Sequence, residues 1–242
     1  MRGAYLELMK DCLIGRIYED PPFQGTSFQP EWRELGLDWP TRSHSMIGNR
    51  RMLNLWRLCE DVIVNRVPGD FIETGVWRGG ACIFMRAILK TYGIEDRTVW
   101  VADSFEGLPP PDVQKYPADH GSQFHTQQPL AVSLEEVQNN FRKYGLLDEQ
   151  VRFLKGWFKD TLPAAPIERL AVLRLDGDLY ESTIDALRPL YHKLSPGGYV
   201  IVDDYCLPPC RKAVEDFRVQ QGSDEPMQVI DTSAVYWQKR RA

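Results

Sequence analysis

Apolar residues recur at helical spacing near the start of the chain. Tyr5, Leu8, Met9, Leu13 and Ile17 predict an amphipathic helix over 4–17. A breaker-rich stretch at Asp20-Pro21-Pro22 opens a loop that runs through Trp39-Pro40-Thr41. Ile47, Leu53, Leu55, Trp56, Cys59, Val62 and Ile63 restore the helical period and predict a helix over 45–64. From Pro68 the pattern changes to short apolar runs of strand length, alternating with helices. The expected strands are 70–73, 98–102, 151–154, 170–175 and 199–202, with two terminal strands at 227–230 and 234–237. Helices are expected over 81–92, 133–144, 182–194 and 210–221, and Ser133 with Glu136 three residues later reads as a capping box. A turn is expected at Pro196-Gly197-Gly198.

Alternating strands and helices of these lengths predict an α/β fold of the Rossmann-like, doubly wound type. A mostly parallel central sheet should carry helices on both faces. The expected division is an N-terminal helical and loop segment, 1–66, covering the site, and a Rossmann-like core over 67–242. Residues 109–129 are rich in proline, glycine and polar groups and lack apolar periodicity. Loops this long inside a compact domain often bind or cover a ligand.

Ligands of such sheets sit outside the carboxyl ends of the strands. Those ends here deliver Glu73, Asp103, Gly156-Trp157-Phe158, Asp176 with Asp178, and Asp203 with Asp204. So many like charges on one rim repel one another unless a cation or ligand offsets them. In Glu73-Thr74-Gly75-Val76-Trp77-Arg78-Gly79-Gly80 the glycines allow close backbone approach to a ligand. An acid just before the first glycine suits an ammonium group, which S-adenosylmethionine presents and a dinucleotide does not. Trp77 occupies the place of the second glycine of G-x-G-x-x-G, which weakens the dinucleotide reading. Asp103, one helix and one strand later, suits the two ribose hydroxyls of a nucleoside cofactor. A ligand-free turn at Gly75 and a cap at Asp103 are the plainer readings of each alone. Carboxylates at Asp176, Asp178, Asp203 and Asp204 offer hard oxygen donors that suit Mg2+. Such an ion lowers the pKa of a hydroxyl and orients it, while a neighbouring carboxylate takes the proton.

Composition narrows the alternatives. The 242 residues are 43% hydrophobic and 26% charged, ordinary for a globular chain, with a net charge of -5 that disfavours nucleic acid. No run approaches the ~18 apolar residues of a membrane span, and no secretory signal opens the chain, so a cytoplasmic enzyme is expected. Five irregularly spaced cysteines fit buried free thiols. Four histidines without metal-ligand spacing argue against zinc.

The segment from Val67 to Cys82 resembles the macrocin O-methyltransferase family, the sugar-modifying methyltransferases of macrolide and aminocoumarin pathways. The resemblance continues through Ser45-Met46-Ile47-Gly48, Val99 to Phe105, Lys143 to Leu147, Gly156 to Thr161, Leu173 to Asp178, Leu194 to Gly198 and Val202 to Cys206. It implies a class I fold using S-adenosylmethionine and Mg2+. It implies that Asp176, Asp203 and Asp204 hold the metal and that Asp178 is the general base. It also implies cofactor contacts from Met46, Glu73, Gly75, Asp103, Ser104, Gly156 and Asp176, with Trp157 and Phe158 near the adenine. The implied acceptor is a deoxysugar hydroxyl of a glycosylated small molecule, and the implied assembly is a homodimer or larger. Trp39 stands before Pro40 where relatives carry Tyr, a position that the resemblance puts near the acceptor. The alternatives are a nicotinamide-dependent oxidoreductase or epimerase on the same fold, and a methyltransferase for catechol-type phenols.

Overall fold

The computed structural model describes residues 1–240. Seven strands form one sheet in the order β3-β2-β1-β4-β5-β7-β6. They are β1 (Asp70–Thr74), β2 (Val99–Asp103), β3 (Val151–Lys155), β4 (Leu170–Leu175), β5 (Leu194–Val202), β6 (Gln228–Val229) and β7 (Val235–Gln238). The first five pair in parallel, and β7 runs antiparallel to β5 and β6. The helices are α1 (Arg2–Leu13), α2 (Pro30–Leu35), α3 (Gly48–Val64), α4 (Gly80–Thr91), α5 (Leu134–Lys143), α6 (Phe158–Thr161), α7 (Tyr180–Leu190) and α8 (Pro208–Gln221).

The sheet is covered on both faces, so its central strands carry apolar residues throughout. Phe71, Val99, Val101 and Val172 face one core with Leu6, Met52, Ile83 and Phe141 from α1, α3, α4 and α5. Ile72, Trp100, Leu173 and Val200 face the other, with Ile184 and Leu187 of α7 and Val214 of α8. The period of two along each strand separates the faces. Every residue of α4 from Gly80 to Leu89 is buried, which fits a helix wedged between the sheet and the N-terminal helices. Phe84 of α4 meets Trp56 of α3 edge to face at 6.0 Å. Burying such a ring contributes on the order of 1.5–3 kcal/mol. Residues from the first 66 positions therefore share a core with the sheet.

Several boundaries differ from the sequence reading for physical reasons. The first helix spans Arg2–Leu13 and buries Leu6, Met9 and Leu13, whereas Tyr5, Leu8 and Ile17 are exposed. Gly15, at φ 70°, turns the chain before Ile17. The expected 20–41 loop contains α2, opened by Pro30 and closed by Gly36 in the left-handed region. Helix α7 starts at Tyr180 and gives way to a 3-10 turn at Tyr191–Lys193. The expected 196–198 turn lies inside β5, which starts at Leu194: β5 pairs Leu194 with Leu170 and Tyr199 with Val172, so the glycines form a bulge. The cap at Ser133 forms, its Oγ accepting from the Glu136 N–H at 3.2 Å. No helix among the described residues is long and apolar enough to cross a membrane.

Candidate active site

A cavity of about 310 Å³ opens at the carboxyl ends of the parallel strands. Met46, Glu73, Gly75, Asp103, Ser104, Gly156, Trp157, Phe158, Asp176, Asp178, Asp203 and Asp204 all line it. The parallel topology is the reason, since β1 to β5 end on one rim. Leu37 and Trp39 from the N-terminal segment, and Phe124 and Leu130 from the long loop, complete the wall.

Three non-glycine residues in the turns after strands adopt left-handed backbone: Trp77 at φ 47°, Phe105 at 58° and Asp178 at 57°. Such conformations persist where the surroundings over-determine them, and they cluster at functional sites. The Asp103 carboxylate fixes two of these turns. Its Oδ2 accepts from the Val76 N–H at 2.7 Å and its Oδ1 from the Phe105 N–H at 2.8 Å. Ser104 Oγ donates to the Gly107 carbonyl at 2.6 Å and accepts from the Glu106 N–H at 3.0 Å. The Asp178 N–H donates to Asp204 Oδ2 at 3.1 Å, which links the turns after β4 and β5.

Two buried arginines run through the acidic group. Arg174 Nη1 donates to Glu73 Oε1 and, at 2.8 Å, to Asp176 Oδ2, while its Nη2 donates to Asp203 Oδ1. Arg51 donates from Nη1 to Asp203 Oδ2, from Nε to Asp231 Oδ2 at 2.9 Å, and from Nη2 to the Leu35 and Gly36 carbonyls. Glu73 Oε2 accepts from the Cys82 thiol at 2.9 Å. Glu73, Asp176, Asp203 and Asp231 thus share two guanidinium groups, Asp178 and Asp204 bond to neither, and negative charge remains in excess.

The excess shows in the acidities. Burial raises the Asp178 carboxyl to about 8, helped by the charges of Asp176 and Asp203. It is partly buried in the cavity wall, and its oxygens accept no hydrogen bond from the described residues. Burial and then Asp178 push Asp204 well above the usual carboxylate range. Glu73 rises to about 7, with burial exceeding the relief from Arg174. Oxygen atoms of Asp176, Asp203 and Asp204 lie within 4.8 Å of one another.

Residues 22–239 match the family described as Macrocin-O-methyltransferase (TylF). The chain belongs to the macrocin O-methyltransferase family. It is 54% identical to the demethyldecarbamoylnovobiocin O-methyltransferase of Streptomyces niveus, over 99% of this chain and 94% of that one. It is 50% identical to the mycinamicin III 3''-O-methyltransferase of Micromonospora griseorubida, over 97% and 96%. The solved structure of the O-methyltransferase NovP matches all of both chains, with a TM-score of 0.97 and 55% identity. Membership removes the nicotinamide alternative: the chain is an O-methyltransferase, and the class I fold implies S-adenosylmethionine as the donor.

The sequence reading of this macrocin-family methyltransferase missed Arg174 and Arg51. Arg174 had a signal, as the lone charge inside the apolar run Leu170–Leu175. Arg51 had none, because polar residues at the start of α3 are ordinary for an amphipathic helix.

Gly75 shows how tightly the turn is built. Its φ is 82°, and a Cβ there would collide with the Asp176 carbonyl oxygen. Left-handed backbone costs a non-glycine residue about 1–2 kcal/mol before any clash. Gly75→Ala should lower thermal stability by at least that much and weaken binding of S-adenosylhomocysteine. Calorimetry on both variants checks this, and an unchanged affinity would place the cofactor away from this turn.

Proposed function

We propose that this enzyme transfers the methyl group of S-adenosylmethionine to a deoxysugar hydroxyl of a glycosylated natural product, of the macrolide or aminocoumarin type, with Mg2+ assisting. The observation that carries the acceptor class is the identity of 50% or more, over nearly full length, to enzymes named for glycosylated antibiotics. The cavity is consistent with it, since apolar Leu37, Trp39, Phe124 and Leu130 line it together with the carboxylates. An aglycone suits the former and a polyhydroxylated ring the latter.

In this reading Asp103 receives the ribose hydroxyls, Gly75 admits the cofactor backbone closely, and Trp157 and Phe158 flank the adenine. Met46, Ser104 and Gly156 complete the cofactor side. Glu73 receives the ammonium on lone pairs left over from Arg174 and Cys82, since each carboxylate oxygen accepts more than one hydrogen bond. Asp176 borders both the cofactor and the metal.

The donor set fits a divalent cation. Asp176, Asp203 and Asp204 supply hard oxygens within 4.8 Å of one another, and no histidine or cysteine joins the cluster among the described residues. When bound there, the ion would lower the pKa of an acceptor hydroxyl and orient it. Asp178 then holds the position for proton removal while the site aligns the oxygen with the sulfonium methyl carbon. We place the enzyme in the cytoplasm as a homodimer or larger assembly. The exposed apolar residues Leu8, Ile17, Phe23 and Trp32 near the N-terminus support the assembly.

Calorimetric titration with S-adenosylhomocysteine, with and without Mg2+, tests the cofactor and metal together. Saturable binding is expected, with a separate Mg2+ signal that Asp176→Ala abolishes. No Mg2+ heat in the wild type would remove the ion from the reading. Mass spectrometry after incubation with demethyldecarbamoylnovobiocin, mycinamicin III and a simple catechol tests the acceptor. Faster methylation of the catechol would overturn the sugar assignment.

A further inference from the structure

The long loop between β2 and α5 touches the rest of the protein at two buried points. Between Glu106 and Leu130 only Tyr116 and Asp119 are buried. Both reach the start of α7. Asp119 is fully buried, and its Oδ1 and Oδ2 accept from the backbone N–H groups of Tyr180 and Glu181 at 2.6 and 3.0 Å. The Tyr116 ring packs on that of Tyr180 at 5.6 Å.

The first N–H groups of a helix have no partner within it. Usually the residue just before the helix supplies one. Here that residue is Leu179, whose side chain has no acceptor and makes no cap. The cap comes instead from Asp119, 61 residues earlier in the chain. A carboxylate there also matches the positive end of the α7 dipole.

Helix α7 begins two residues after Asp178. The left-handed Asp178 is held on one side by the hydrogen bond of its N–H to Asp204, and on the other by the first turn of α7. Phe124 and Leu130 of the same loop line the cavity. One carboxylate therefore ties the wall of the cavity to the turn that carries Asp178.

We propose that Asp119 is a positioning residue that couples the seating of the 109–129 loop to the placement of Asp178. The inference rests on Asp178 being the proton acceptor. Without the carboxylate the first turn of α7 loses two hydrogen bonds, and the loop keeps its Tyr116 anchor and, at its far end, the hydrogen bond from Trp77 Nε1 to the Pro129 carbonyl at 2.8 Å. The body of α7 stays packed through Ile184, Leu187 and Leu190. The loss is therefore confined to the turn beside Asp178 and to the loop. A shift of about 1 Å in a reacting group can cost ~10²-fold in rate.

The test compares wild type, Asp119→Asn and Asp119→Ala with the best-accepted glycoside from the panel above. The alanine variant should lower kcat at least ~10-fold and raise KM for the glycoside, with KM for S-adenosylmethionine within ~2-fold of wild type. Asp119→Asn keeps one acceptor oxygen and should fall between the two, and it carries the test if the alanine variant does not fold. Trypsin should cut after the exposed Lys115 faster in both variants. An unchanged kcat with a raised glycoside KM would make Asp119 a loop anchor only and overturn the coupling, as would unchanged kinetics throughout. If wild type methylates none of the glycosides, the acceptor reading fails. Asp178→Asn retaining wild-type turnover would instead remove the base on which the coupling depends.

Discussion

Replacing Asp178 with Asn is expected to lower kcat by roughly 10²–10⁴-fold while leaving affinity for S-adenosylhomocysteine within about twofold. Asn has nearly the same shape and cannot accept a proton at neutral pH. The turn should survive, because its hydrogen bond to Asp204 uses the Asp178 backbone N–H and not the side chain. Asn also tolerates left-handed backbone, so φ 57° adds no new strain. Steady-state kinetics and calorimetry on the same preparation make the comparison. Turnover near wild type would move the base to another residue.

The same carboxyl gives a pH signature. In the metal-free protein it titrates at about 8, raised by burial and by Asp176 and Asp203, against ~3.9 in an unfolded chain. The folded protein therefore keeps a proton that the unfolded chain releases. That stabilisation is fully present below the unfolded pKa and is lost as pH rises through about 8. Glu73, raised to about 7, acts in the same direction. Melting temperatures measured in a chelator should fall between pH 5 and pH 8, and Asp178→Asn should fall less. Added Mg2+ should restore stability most at the alkaline end, because it favours the deprotonated carboxylates.

Glu73, Asp103, Asp176, Asp178, Asp203 and Asp204 were legible because each lies at or just past the end of a strand, and a parallel sheet sends successive strand ends to one rim; Asp231, which bonds Arg51, was not. Asp176, Asp203 and Asp204 needed no knowledge of packing to be grouped. What offsets their charge was harder to read. Arg51 reaches Asp203 across 152 positions, and Asp119 reaches α7 across 61. Neither distance leaves a local pattern, since a cap supplied from afar looks in sequence like any loop aspartate. In the fold, the bulge in β5 was hidden for the opposite reason. Pro196-Gly197-Gly198 carries a strong turn signal, yet pairing of Leu194 with Leu170 extends the strand past it. Likewise the six residues of α2 are too few for a helical period to show between Pro30 and Gly36.

Arg174→Met is expected to destabilise the enzyme by about 3–5 kcal/mol, the usual cost of removing one partner from a buried ion pair. Methionine fills most of the space, so the loss is chiefly electrostatic. Arg174 is 1% exposed and is the shared donor to Glu73, Asp176 and Asp203. Without it Asp203 retains Arg51, but Glu73 retains only the Cys82 thiol. Buried carboxylates that lose a cation hold their protons more tightly. The deficit should therefore shrink at pH 5, where they are protonated, and grow as pH rises through about 7, the value of Glu73 in the intact protein. Urea unfolding of both proteins across that range reads the effect directly. A deficit independent of pH would mean that Arg174 acts through packing alone. If the deficit grows with pH, then an enzyme that gathers carboxylates for its chemistry depends on this strand-borne arginine to limit the cost of ionising Glu73, Asp176 and Asp203 in the folded state.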